Sequence, residues 1–370
     1  VPDQIGIPAT FMRGGTSKGL FFRWEDLPPD AAERDRFLCA AIGSPDGYGR
    51  QLDGMGGGLS SLSKAMLVRR SERAGIDVDY LFGQIEIEDA AVDYSSNCGN
   101  LSAAVGCFAV DRGLVRPPDG PGTVAMWNVN TSKRIDCRLI VRGGRAAVTG
   151  REAIAGVSGA GATIRLAFHE PGGAWTGRLL PTGSPTDRAE IGATTVAYSF
   201  VDAANPCVFV HGRDLGLTAD ALPAEVAART DVLDALEQIR RQAALKAGRA
   251  ATPGAPKIAL VSPPTDFATL SGAKVSADEA DILVRMISMG QPHLAIPLTG
   301  ALCTAVAARI EGTAVGEAAG PGAPEAPVRI GTGSGVVSAR ATVAPGPHAV
   351  SASIHRTART LMEGTVYAAI

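Results

Sequence analysis

The sequence predicts a turn-rich α/β (α+β) or β-heavy fold in two domains, with a buried small-residue helix in each half. Its 370 residues exceed what a single hydrophobic core usually supports, so two domains are expected. Its 45 Gly and 24 Pro, with only 5% aromatic residues, point to many tight turns and to packing by small side chains. Two segments, Gly99-Asn100-Leu101-Ser102-Ala103-Ala104-Val105 and Gly300-Ala301-Leu302-Cys303-Thr304-Ala305-Val306, lie one in each half. Each opens on Gly and continues as a helix of small apolar residues. A helix with no wide polar face is buried on most sides, as happens when a curved sheet wraps around it, and two of them suggest a duplicated architecture.

Short β-type runs recur along the chain: Leu20 to Phe22, Ala65 to Val68, Val78 to Ile87, Leu139 to Val141, Val196 to Phe200, Cys207 to Val210, Ile258 to Val261 and Ser334 to Val343. Gly and Pro punctuate nearly all of them. Helical patterns are read at Ala31 to Ile42, Leu101 to Arg112, Thr218 to Ala247, Ala277 to Met289 and Ala301 to Ile310. The stretch from Gly312 to Pro327 reads as an exposed loop.

Charge and composition exclude several classes of partner. Lys and Arg total 35 against 37 Asp and Glu, a net charge of -2 with no basic run, which argues against nucleic acid. No apolar stretch reaches the roughly 18 residues of a membrane span, and Val1 to Ile7 carries no signal-peptide pattern, so a soluble, cytoplasmic protein is expected. The six cysteines form no CxxC pair and the five histidines no HExxH, so neither a disulfide framework nor a metal site is predicted.

Three segments have the residue types that proton chemistry on an anion requires. Met12-Arg13-Gly14-Gly15-Thr16-Ser17-Lys18-Gly19 offers backbone N–H groups, hydroxyls and cations to an anion, or is a surface turn whose glycines only supply φ > 0. In Asp53-Gly54-Met55-Gly56-Gly57-Gly58-Leu59-Ser60-Ser61-Leu62-Ser63-Lys64, the lysine abuts an apolar run. Lost solvation there would lower its pKa toward that of a usable base, whereas most lysines snorkel to the surface. In Asp93-Tyr94-Ser95-Ser96-Asn97-Cys98-Gly99-Asn100, the cysteine stands at a helix N-terminus, where the macrodipole favours its thiolate. A free cysteine is otherwise most often inert core.

Serine acyl transfer is a weaker reading. Gly15-Thr16-Ser17-Lys18-Gly19 matches GxSxG, but a strand follows it where the nucleophile elbow needs a helix. Ser61 to Lys64 matches SxxK and Ser95 to Asn97 resembles SxN, yet KTG is absent and Ser61 precedes a strand.

The ordered set MRGGTSKG (12 to 19), DGMGGGLSSLSK (53 to 64), DVDYLFGQ (77 to 84), SSNCGN (95 to 100), QPH (291 to 293), LTGA (298 to 301) and RTAR (356 to 359) resembles the methylaconitate isomerase (PrpF-like) family. More remotely, it is similar to diaminopimelate epimerase. The resemblance implies two diaminopimelate epimerase-like domains, 1–183 around a helix at about 99–112 and 184–370 around a helix at about 300–310. It places the active site in the interdomain cleft, with the final strand returning to the first domain. It implies a cofactor-free, metal-free isomerase that shifts a proton and a C=C bond in a small unsaturated di- or tricarboxylate. Lys64 and Cys98 match the family's catalytic pair. Thr16, Ser17, Lys18, Ser63, Asn97, Gly99 and Asn100 would bind substrate from the first half, and His293, Thr299 and Gly300 from the second. Arg356 and Arg359 would bind a carboxylate or lock the domains together. Cys303 does not fit the second cysteine motif of racemising epimerases, which favours a Lys/Cys isomerase over a two-thiol mechanism. The 2-methylaconitate cis-trans isomerase type is expected first, with an aconitate or methylitaconate Δ-isomerase or an oxalomesaconate tautomerase as alternatives. A non-catalytic accessory protein for a dehydratase is the alternative of another class, and a homodimer is the default assembly.

Overall fold

Strand pairing follows the same path twice in the computed structural model, which describes residues 3–95, 97–323 and 326–369. Val1, Ser96 of the SSNCGN segment, and Pro324 and Glu325 of the 312–327 stretch lie outside the described residues. In the first pass β1 (Ile5–Gly14) pairs antiparallel with β2 (Ser17–Arg23), and β2 runs parallel to β3 (Lys64–Arg70). Next, β3 pairs antiparallel with β4 (Val78–Ile85), whose end also carries the short β5 (Val92–Asp93). Strand β4 then runs parallel to β6 (Gly120–Asn128), which pairs antiparallel with β7 (Lys133–Arg142), followed by β8 (Arg145–Ala146) and β9 (Ile164–His169). Each parallel pairing needs a crossover. Helix α1 (Ala31–Ile42) supplies the first and α2 (Gly99–Asp111) the second.

The second pass repeats this order. After β10 (Asp187–Ile191), β11 (Thr194–Ala203) pairs antiparallel with β12 (Asn205–His211), and β12 runs parallel to β13 (Lys257–Ser262). The crossover is α3 (Pro223–Ala228) with α4 (Thr230–Lys246). A small hairpin of β14 (Phe267–Ala268) and β15 (Lys274–Val275) follows. Strand β16 (Ile282–Ser288) pairs antiparallel with β13 and with the short β17 (Gln291–Pro292), and runs parallel to β18 (Val328–Thr332). Here the crossover is α5 (Leu298–Ala307) with α6 (Ala314–Ala319). Antiparallel β19 (Gly335–Ala344) and β20 (His348–Arg356) complete the pass. The terminal strand β21 (Ala358–Ala368) pairs with β1.

The contacts divide the chain into Val1–Leu166 with Arg356–Ile370, and Ala167–His355. The division falls before the 183/184 boundary placed from sequence. The N–H groups of Gly173, Trp175 and Thr176 bond to Asp202 on β11, which ties that stretch to the second unit.

In the first unit the sheet is covered on two faces. Leu20, Phe22, Ala65 and Leu67 pack with Phe37 and Leu38 of α1. The alternate residues face α2, where Phe21 meets Phe108 at 5.7 Å between ring centroids. Every residue of α2 from Gly99 to Val110 is buried, and the helix touches β1, β2, β3, β7, β8 and β21. Its small residues permit this closeness: a Cβ on Gly106 would lie 2.5 Å from the Cys137 sulfur. In the second unit Val208, Val210, Ile258 and Leu260 pack with Val232, Leu236 and Ile239 of α4. Helix α5, buried throughout, lies against β11, β12 and β19.

Three readings from sequence are corrected. Ala277 to Met289 is not a helix: a 3-10 turn at Ala277–Glu279 leads into β16, a strand buried on both faces from Ile282 to Ile287, Arg285 included. Thr218 to Ala247 is two helices, broken at Arg229 (φ -92, ψ 73). The 312–327 stretch is not all loop, since Thr313 caps α6 by accepting from the Gly316 N–H. Among the described residues no helix is long and apolar enough to cross a membrane.

Candidate active site

Lys64 opens β3 with its side chain on the α2 face, and it is 8% exposed. Its ammonium position lies 5.0 Å from the centre of the Phe82 ring and bonds to the Gln84 side-chain oxygen. Burial pushes its pKa down, while the charges of Cys98 and Glu86 oppose the shift. Cys98 is the N-cap residue of α2 and is only partly buried. Its sulfur lies 4.0 Å from the Ser17 hydroxyl. The α2 N-terminus is tied down from below, because Tyr80 of β4 bonds Ser102 at 2.8 Å and Ser102 reaches both Asn97 Oδ1 and the Cys98 carbonyl.

The glycines of the first motif allow the β1–β2 hairpin to sit on this helix end. A Cβ on Gly14 would lie 2.5 Å from the Asn100 carbonyl oxygen and 3.0 Å from the Leu101 Cα. Gly15 adopts φ +52 in the turn. Thr16 then accepts from Asn100 Nδ2 at 3.0 Å, and Asn100 Oδ1 accepts from Arg356 Nε at 3.3 Å. Burial lowers the Arg356 guanidinium to about 10, with Glu152 pulling it back up. Gly14→Ala is therefore expected to destabilise the protein by about 1–3 kcal/mol, since the clash is with backbone. Gly300→Ala in α5 is expected to cost less, because the added Cβ clashes with the flexible Met286 side chain and otherwise meets Ile296 at an ordinary 3.6 Å. Thermal unfolding of the two variants checks the order.

Not every residue picked from sequence joins this cluster. Strand alternation puts Lys18 on the face away from Cys98, with its ammonium 5.7 Å from the Phe11 ring centre. Ser63 is buried, and its hydroxyl donates to Gln51 Oε1 at 2.6 Å and the Leu59 carbonyl at 2.9 Å. It holds the glycine loop together rather than facing a ligand. Arg359 is exposed and stands directly across from Arg13, whose pKa is lowered by burial and by that neighbouring charge. Gly99 opens α2, whereas Gly300 is the third residue of α5, so the two glycines are not equivalent positions. Thr299 accepts from Asn205 Nδ2 at 3.3 Å, and His293 Nδ1 accepts from the Ala295 N–H at 3.1 Å, both within the second unit.

Sequence reasoning missed Gln51, Gln84, Tyr80 and Ser102. Gln51, buried with φ +53, accepts from the N–H groups of Gly57 and Gly58 as well as from Ser63. A signal for Gln84 was present: it is the cross-strand partner of Lys64 once β3 and β4 are paired.

The second unit reproduces the frame without the pair. Leu20 faces Ala65 in the first unit as Val208 faces Ile258 in the second, so Lys257 occupies the position of Lys64. It bonds Ser288 at 3.1 Å, where the first unit has Gln84. The cap of α5 is Pro297, which has no thiol, and Cys303 lies fully buried mid-helix with burial holding its pKa well up. Among the described residues no three His, Cys, Asp or Glu side chains gather as a ligand set for a metal.

The strand path repeated around two buried helices is a diaminopimelate epimerase-like architecture, and its relatives make the protein an isomerase. The chain belongs to the PrpF protein family, whose sequence pattern matches residues 4–369. It is 41% identical to the 2-methyl-aconitate isomerase of Shewanella oneidensis, over 99% of this chain and 97% of that one. It is 39% identical to the 3-methylitaconate isomerase of Eubacterium barkeri, covering 99% and 98%. Among solved structures, methylitaconate-delta-isomerase matches with a TM-score of 0.83 at 39% identity, covering 100% of this chain and 97% of that one. A hydroxyproline epimerase from Agrobacterium vitis matches at 0.58 with 11% identity, over 99% and 93%, a likeness of fold alone.

Proposed function

We propose that this isomerase moves a proton, and with it a C=C bond, in a small unsaturated di- or tricarboxylate, acting first on 2-methylaconitate. The observation that carries the reading is the buried Lys64 amine at the start of β3, held by Gln84, in the same unit as the Cys98 thiol that caps α2. A C–H next to a conjugated acid is only weakly acidic, so its removal needs a base in a dry site and donors for the charge that develops. In the proposed step Lys64 takes the proton, and the C–H electrons delocalise into a dienolate. The former double bond gains single-bond character and can rotate. Cys98 then protonates a carbon, the C=C re-forms in its new position or geometry, and solvent returns the catalytic groups to their starting protonation. Ser17, Thr16, Asn100 and the first N–H groups of α2 are proposed to hold the carboxylates. Asn97, His293, Thr299 and Gly300 remain proposed binding residues on the sequence resemblance. Arg356 is proposed to act through Asn100, to which it is bonded.

Methylitaconate is the favoured second substrate, because a relative of 39% identity carries that name. The two relatives compared both carry isomerase names, which leaves the accessory-binder reading without support. A homodimer and a cytoplasmic setting stay part of the proposal on sequence grounds alone. The test is proton NMR in D2O with trans-aconitate, methylaconitate, methylitaconate and oxalomesaconate. Deuterium entry or double-bond migration with one of them is expected, and the rates rank the substrates. No exchange with any of the four would overturn the reading.

A further inference from the structure

We propose that Gln84 is a positioning residue for the reaction: its side-chain amide, locked by the glycine loop, presents a fixed neutral oxygen that aims the Lys64 amine. The proposal rests on the reading of Lys64 as the proton-transferring base. Gln84 is buried on β4 directly across from Lys64. Its Nε2 donates to the Ser63 carbonyl at 2.9 Å and the Ser60 carbonyl at 3.2 Å, which fixes the orientation of the amide. Rotating it by half a turn would set Oε1 against two carbonyl oxygens and the NH2 group against the lysine. The loop therefore dictates that Oε1 faces Lys64.

Two consequences follow for a neutral amine. One N–H is held by Gln84, so the lone pair is confined to the remaining directions. The contact partner is uncharged, so it favours the ammonium less than a carboxylate would. The other groups facing Lys64 are the Phe82 ring from the same strand, Glu86 just past the strand end and Cys98 from the cap of α2. A carboxylate in place of Gln84 would join Glu86 and favour the charged amine.

The experiment compares Gln84→Glu and Gln84→Met with the unaltered protein. Lys64 ionisation is read across pH from its rate of acylation by acetic anhydride, followed by peptide mass spectrometry, and kcat and KM are measured over the same range. Gln84→Glu is expected to move the labelling midpoint up by roughly one to three pH units, carrying the rising, acid-side limb of the kcat profile with it. Gln84→Met removes an acceptor from the ammonium, so its midpoint is expected to move down. Its kcat should fall by roughly tenfold or more with KM little changed, since only the aim of the base is lost. A residue that merely supported the loop would not move the midpoint in opposite directions. Midpoints that stay put in folded variants would overturn the proposal, and Gln84→Met alone decides it should the Glu variant not fold. Midpoints that move while the kcat profile does not would keep the hold of Gln84 on Lys64 and overturn the assignment of Lys64 as the base.

Discussion

Replacing Lys64 with methionine is expected to lower isomerisation by roughly 10²- to 10⁴-fold, the usual contribution of a general base, while making the protein more stable at neutral pH. The two effects have one cause. Methionine fills much of the same volume against Phe82 but carries no charge to desolvate. The sign of the pH dependence follows from the lowered pKa. Between the folded-state value and the ordinary lysine value of 10.5, the unfolded chain binds a proton at this position that the folded protein does not. Stability of the unaltered protein therefore rises with pH across that window and levels off above 10.5. Below the folded-state pKa the amine is charged in both states, and its desolvation penalty is present in full. Lys64→Met should unfold at a higher denaturant concentration than the unaltered protein at pH 7, with the gap closing as pH approaches 10.5. Paired urea titrations at pH 7 and pH 10 check this. A variant less stable at pH 7 would mean that the Gln84 bond and the ring contact outweigh desolvation. A variant that keeps its activity would remove Lys64 from the mechanism.

The duplicated frame was legible in the sequence because its two central helices are unusual: runs of small apolar residues opened by glycine have few other uses. Lys64 and Cys98, the proposed pair, stood out in the sequence by residue type, and the turn beside them was legible where backbone must approach backbone, at Gly14, and where φ is positive, at Gly15. Elsewhere local pattern was insufficient. The run Ile282–Ser288 is mostly apolar and buried on both faces, and periodicity cannot tell such a strand from a buried helix. Its Arg285 is buried and donates to the Val284 carbonyl beside it and to those of Ala221, Asp220 and Gly331, which are distant in sequence. Lys18 looked like a ligand because it sits in the motif, but an odd number of residues from Ser17 on a strand means the opposite face. Gln51 was invisible for a different reason: a glutamine has no signature until the loop it clamps has been folded around it, and Gln84 could be found only through its pairing with Lys64 across β3 and β4.

The fate of Cys98 separates the two halves of the proposed reaction. Cys98→Ala is expected to abolish net isomerisation by roughly 10²- to 10⁴-fold, yet to leave deuterium exchange at the one carbon that Lys64 serves. The amine can take a proton, trade it with solvent and return a deuteron to the same carbon, whereas in the proposed reaction the thiol serves the other. Lys64→Met should lose exchange at that carbon as well. Position-resolved NMR of the recovered acid in D2O thus assigns each group to its carbon. Cys98→Ser adds a thermodynamic contrast. The Cys98 side chain makes no hydrogen bond to the helix N–H groups, and serine is among the preferred N-cap residues, so this variant should gain about 0.5–1 kcal/mol of stability while losing turnover. A stabilised but inactive Cys98→Ser beside a stabilised but inactive Lys64→Met would mean that each residue is held at a cost to the fold, as expected where side chains are kept for chemistry. Isomerisation within tenfold of the unaltered protein in Cys98→Ala would instead assign the second proton transfer to another donor, the nearest being the Ser17 hydroxyl 4.0 Å from the sulfur.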